Sequence, residues 1–175
     1  LAGNAEFADK EGISELVSMA MRGDVGVVGA RSYYKNGTLE HAGCVIGMNG
    51  TAGSLFEHTL RGENGYFSHI VTQMQYSAVA GACMMVKKDI FEKVNGFDEG
   101  YKGELGKVDL CLKIRNKHIS VVYNPYVEMV RWSNELQNNE NDEKIFKKQW
   151  AEVLEKGDPY YNKNLSLSVS GCNIR

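Results

Sequence analysis

Residues Tyr76–Asp109 read YSAVAGACMMVKKDIFEKVNGFDEGYKGELGKVD, and they set out a strand, a short helix, a turn and a helix mouth in close succession. Ala78 to Val86 is a run of small and apolar residues with the composition of a buried strand. Asp89 to Val94 has the spacing of a short amphipathic helical turn, and Asn95-Gly96 stops it because both residues tolerate positive φ. Phe97-Asp98-Glu99 follows, and a loop leads into a second helix, expected over Asp109 to Lys117 with Leu110, Cys111 and Ile114 facing inward. A buried strand, a tight turn and acids at a helix mouth make the wall and rim of a ligand site.

On the N-terminal side, Glu11 to Met21 reads as a helix. Ile13, Leu16, Val17, Ala20 and Met21 follow the spacing of a buried stripe. Val25 to Tyr34 is rich in β-branched and aromatic residues and reads as a strand. Lys35-Asn36-Gly37 is a hairpin turn, and Thr38 to Ile46 is the returning strand. Gly47 to Gly53 is glycine-rich but has neither the P-loop nor the dinucleotide spacing, so a surface loop is expected. Glu57 to Tyr76 has no clear period and reads as a long excursion. On the C-terminal side, Ile119 to Tyr123 reads as a strand turned by Asn124-Pro125, and Tyr126 to Trp132 as another. Asn134 to Asn141 is a polar linker, Asp142 to Glu155 an amphipathic helix, and Tyr160 to Arg175 a polar tail expected over the surface. Alternating helices and strands with one forced hairpin argue an α/β domain with a mixed sheet and flanking helices. The division expected is a domain over 1–157 and a tail over 158–175.

The 175 residues suffice for one domain with a real core, and 43% hydrophobic with 24% charged residues is ordinary for a globular protein. A formal net charge of −2 gives no electrostatic case for nucleic-acid binding. No apolar run has membrane-spanning length. Cys44, Cys83, Cys111 and Cys172 show no metal-site spacing, which favours reduced structural thiols and a cytoplasmic setting. The first residue is Leu rather than Met, so a piece of a longer chain is expected.

The runs GDVGVVGARSYYKNGTLEHAGCVIGMNG, GYFSHIVTQMQYSAVAGACMMVKKDIFEKVNGFDE, VDLCLKIRNKHISVVYNPYVEM and GDPYYNKNLSLS resemble, in order and spacing, the C-terminal, acceptor-side half of family 2 glycosyltransferases of the GT-A fold. The resemblance implies a nucleotide-diphospho-sugar donor, a glycan acceptor and inverting transfer. For an intact member it implies a divalent cation, Mg or Mn, and a nucleotide-binding half that would have to come from a partner domain or subunit.

Three chemical positions depart from the pattern that the resemblance implies. The metal motif falls on Leu1 to Glu6, where Gly3 and Ala5 offer no oxygen ligand and Asn4 and Glu6 could contribute one each, a poor substitute for the implied acids. The general-base motif falls on Gly106-Lys107-Val108-Asp109, leaving Asp109 as its acid; a lysine carries its proton already unless strongly desolvated. A late histidine ligand falls on Arg131-Trp132. No metal site and no cofactor of its own are therefore expected in this chain. The candidate acids are Asp109, which as readily serves as a helix N-cap, and Glu104 as a substitute base. His41, Gly81, Ala82, Asp98, Glu99 and Lys107 are the candidate substrate contacts. Each has a plainer alternative: a satisfied structural histidine, tight strand packing at Gly81-Ala82, a solvated loop at Asp98-Glu99, and ordinary surface charge at Lys107. Lys107 and Arg131 could also hold a phosphate where a metal would sit. An active enzyme half and a degenerate binding or assembly module both remain open at this point.

Overall fold

The structure is a computed structural model, and it describes residues 3–79, 82–132 and 139–174. In chain order the elements are β1 (Ala5–Phe7), α1 (Gly12–Ala20), β2 (Val25–Tyr34), β3 (Leu39–His41), β4 (Cys44–Ile46), β5 (Ala52–Ser54), β6 (Met74–Gln75), β7 (Met84–Val86), α2 (Lys88–Lys93), α3 (Leu105–Arg115), β8 (Ser120–Arg131), α4 (Glu140–Gln149) and α5 (Ala151–Lys156). The α/β expectation holds: a curled mixed sheet runs β1-β8-β2-β3, with β6 on β8 and β7 on β2, and helices flank it. β2 and β8 are parallel, whereas β3 and β7 run antiparallel to β2. No helix among the described residues is long and apolar enough to cross a membrane.

Several expected elements differ, each for an identifiable reason. Asn124-Pro125 does not turn the chain. β8 runs through it as one strand, and the register steps from Ala30↔Asn124 to Arg31↔Glu128. The intervening residues form a bulge, which puts Pro125, a residue without an N–H, where no ladder bond is needed. The glycine-rich stretch is not a free loop: a 3₁₀ turn at Met48–Gly50 leads into β5, which pairs with β4. The inner face of α1 is Leu16 and Met19. Ile13, Val17 and Met21, expected inside, are 56%, 42% and 76% exposed. The strand expected over Ala78 to Val86 is regular only from Met84, and Ala80 and Gly81 lie outside the described residues. The same is true of most of the expected linker, residues 133–138.

The tail does more than cover the surface. Leu165 and Cys172 are buried in the main core with Tyr76, Leu110, Ile114, Tyr123 and Phe146. Asp158 fastens its start: one carboxylate oxygen accepts from the Ile46 N–H at 2.7 Å, the other from the Ser77 hydroxyl at 2.7 Å and the Tyr160 N–H at 2.9 Å. Arg115 completes the knot, donating to Ser77 Oγ at 2.7 Å and lying over the Tyr160 ring. Three bonds to one carboxylate make Asp158→Ala a substitution with a definite cost, about 2 kcal/mol of folding stability. Urea denaturation of the two proteins checks it, with an unchanged midpoint as the contrary result.

Candidate functional site

β2 carries β3 on one edge and β8 on the other, and this brings Glu40 and Arg131 to one end of the sheet. Ser32 pairs with His41 of β3, and Tyr34 pairs with Arg131 of β8. The first turn of α3 reaches the same place, with Glu104 at its N-cap. The result is a line of four charged side chains. Arg131 Nε lies 2.6 Å from Glu40 Oε1, and Arg131 Nη2 lies 3.9 Å from Glu104 Oε1. Lys107 Nζ donates to both Glu104 oxygens, at 2.9 and 2.7 Å. Side-chain exposure rises along the line from 0% at Glu40 and 3% at Arg131 to 12% at Glu104 and 26% at Lys107. Arg131 and Glu40 are buried, and Lys107 is the most exposed of the four.

His41 is next to this line and fully buried. Its Nε2 accepts from the Gly43 N–H at 3.2 Å, which places the ring proton on Nδ1, 3.1 Å from Ser54 Oγ. Burial, reinforced by the charges of Lys107 and Arg131, lowers its pKa to about 3. His41 is therefore a neutral wall residue. Ala82 and Cys83 are buried with Val127 and Met129. Burial raises the Cys83 thiol and the Lys107 charge acts against that rise, so this segment lies within electrostatic reach of the same cluster.

The remaining candidates are placed elsewhere. α3 begins four residues earlier than expected, so Asp109 is its fifth residue rather than its cap. The Asp109 side chain is fully buried. Its Oδ1 accepts from Gln149 Nε2 at 2.7 Å and from the Trp150 indole at 3.0 Å, and its Oδ2 lies 3.2 Å from Lys113 Nζ. Asp109 thus joins α3 to the α4–α5 junction. Trp150 belongs to this interior contact, and it also breaks the expected single helix into α4 and α5. Asp98 and Glu99 stay in an exposed turn, where Asp98 accepts from the Gly100 N–H at 2.8 Å. No contact among the described residues joins either acid to the cluster. Gly81 lies outside the described residues.

Sequence reasoning missed Glu40 altogether. A single acid between Leu39 and His41 in a short strand carries no periodic signal, and its partner Arg131 is 91 positions away. The donor set does not fit a magnesium or manganese ion. Such ions take oxygen ligands, but Arg131-Trp132 stands where a histidine ligand is implied, and over residues 3–6 only Asn4 and Glu6 carry oxygen side chains. Gly3 and Ala5 have no donor side chain, and Leu1 and Ala2 lie outside the described residues. Among the described residues no three His, Cys, Asp or Glu side chains converge.

Two stability measurements test this geometry. Arg131→Met leaves Glu40 buried without its cation and is expected to cost about 3–5 kcal/mol, whereas Glu40→Leu with Arg131→Met recovers most of that loss. Equal destabilisation of the single and double variants in urea melts would contradict the pairing. His41, with its folded pKa lowered, takes up a proton more readily in the unfolded chain. Its contribution is full above the ordinary histidine range and is lost as pH falls from about 6.5 toward 3, at up to about 1.4 kcal/mol per pH unit. His41→Gln should flatten the stability profile between pH 7 and 5; an unchanged slope would place the dependence elsewhere.

Comparison with known proteins gives two relatives. The chain is 34% identical over 177 residues to the uncharacterized protein y4gI of Sinorhizobium fredii, covering 94% of this chain and 19% of that protein. It is 31% identical over 183 residues to the O-antigen biosynthesis protein RfbC of Myxococcus xanthus, covering 100% of this chain and 14% of that protein. The chain therefore spans less than a fifth of either relative's length. No family model matches the chain, and no solved structure matches it.

Proposed function

We propose that this chain is the acceptor-side part of a family 2-like glycosyltransferase domain in a longer protein of polysaccharide biosynthesis, which transfers a sugar from a nucleotide-diphospho-sugar to a glycan acceptor. The observation that carries this reading is the similarity to an O-antigen biosynthesis protein along the entire chain, joined to a mixed α/β fold. Two open surfaces are in keeping with a partner domain that supplies the nucleotide-binding half. β7 is paired with β2 on one edge and with no strand on the other among the described residues. Ile13, Val17 and Met21 form an i, i+4, i+8 line on the outer face of α1. Four buried free cysteines suit a reducing, cytoplasmic setting.

On this reading Glu104 is the acid placed to work at the charged cluster. Its carboxylate takes the acceptor hydroxyl's proton while that oxygen forms a bond to the anomeric carbon. The bond from that carbon to the donor diphosphate breaks, and the diphosphate leaves with the electron pair. His41 and Ala82 supply the wall. One observation favours a second reading, a binding or assembly module without turnover: both oxygens of Glu104 are already engaged by Lys107.

Sugar transfer from UDP- and dTDP-sugars by the longer protein separates the two. Glu104→Gln is expected to lower kcat by about 10²–10⁴ with little change in KM. Asp109→Asn, measured per folded molecule, should lower it far less. A wild-type protein that binds glycan without turnover, and that gains transfer on Lys107→Asp, would favour the second reading.

A further inference from the structure

We propose that Lys107 and Arg131 form a metal-independent binding site for a phosphate or diphosphate group, with Glu104 as the internal counter-ion that the anion displaces. The inference rests on the sugar-transfer reading only for the source of the anion, the donor diphosphate.

Three observations lead to it. First, Arg131 is 3% exposed, yet its Nη2 makes no hydrogen bond among the described residues. A buried guanidinium donor without an acceptor is costly, and the Glu104 oxygen is 3.9 Å from it, beyond hydrogen-bond length. An oxygen placed between Arg131 and Lys107 would fill that need. Second, beside the larger effect of burial, Lys107 and Arg131 act on their buried neighbour in the same sense. At His41 the charges of Lys107 and Arg131 both act to expel a proton, which is the sign of field that attracts an anion. Third, the line is graded in access. Lys107 is the most exposed member and Arg131 lies deep, so an anion entering past Lys107 meets a mobile ammonium first and a fixed planar fork behind it. Glu104 occupies that route. Its carboxylate sits where an incoming phosphate oxygen would sit, and it is tied there only to Lys107 and, at longer range, to Arg131.

The exchange is a swap of acceptors on the same donors, with no bond made or broken. A phosphate brings more negative charge and more acceptor oxygens than a carboxylate, and it matches the guanidinium fork. The Glu104 carboxylate released from Lys107 is then available to the acceptor side of the cluster.

Isothermal titration calorimetry of this chain with inorganic pyrophosphate, in EDTA at low and moderate salt, tests the site. Binding is expected without added metal and should weaken as salt rises. Lys107→Gln, at the least buried of the four, should weaken it about tenfold or more through loss of a charge-assisted bond. Glu104→Gln should tighten it by about the same factor, because the competing charge is gone. Circular dichroism on each variant establishes that the fold is kept. No binding in EDTA by folded wild-type chain, binding that appears only with Mg²⁺ or Mn²⁺, or a Kd unmoved by Lys107→Gln would each overturn the proposal. Metal-free pyrophosphate binding beside a longer protein that transfers no sugar would leave the anion site standing and remove the transfer reading. Sugar transfer that requires Mn²⁺, with no pyrophosphate binding in EDTA, would do the reverse.

Discussion

Parallel pairing of β2 with β8 is the constraint that the rest of the molecule obeys. The two strands run together from Val25↔Ser120 to Tyr34↔Arg131, and each end of the ladder sets a different feature. At the first end, Gly26 and Gly29 let neighbours approach without a side chain in the way; a Cβ on Gly29 would lie 2.5 Å from that of Val79. At the far end, the ladder holds Arg131 beside β3, where Glu40 waits. Between them the bulge at Pro125 advances β8, so that Glu128 rather than the residue after Asn124 faces Arg31. Glu128 is thereby held by both Arg31 and Arg61, which fastens the long excursion after β5 to the sheet. A proline that read as a turn is the device that brings the far end of the strand into register.

The charged end of the sheet follows from the same pairing. Burying four charged side chains is tolerable only if each cation has an acid within reach, because an unpartnered ion in the interior costs several kcal/mol. Glu40–Arg131 and Glu104–Lys107 meet that condition as two pairs linked through Arg131. Such an arrangement is a poor source of net stability, and hydrophobic residues of similar volume would serve a scaffold as well or better.

What could be read from the sequence and what could not divides along physical lines. Local signals served well. The Asn36-Gly37 hairpin is present, with Gly37 at φ 83°, and α2 ends on Asn95 and Gly96 at φ 61° and 60°. Signals that depend on distant partners failed. GISELVSMAM has apolar residues on two faces, and nothing local says that Leu16 and Met19 rather than Ile13, Val17 and Met21 meet the sheet. The loop after Phe97-Asp98-Glu99 is expected to run as far as Asp109. Gly106 is in fact inside α3, where the lack of a side chain lets the helix sit against Tyr101: a Cβ would lie 3.1 Å from the Tyr101 Cβ. Of the candidate site, Glu104, Lys107 and His41 were legible and do come together. Glu40 was invisible because its reason for being there is a residue far along the chain.

The early start of α3 also explains why its two acids have different fates. At about 100° per residue, positions three or four apart share a helix face, while positions five apart diverge by about 140°. Glu104 and Lys107 are three apart and pair on the face toward the sheet end; Asp109 and Lys113 are four apart and pair on the face toward α4. Glu104 and Asp109 are five apart, so one helix cannot present both to a single ligand. With Trp150 and Gln149 holding Asp109 on the interior side, Glu104 is the acid of the pair that reaches the charged cluster. Any shift of α3 that brought Asp109 round would have to break its bonds to Trp150 and Gln149 and take the α4–α5 junction with it.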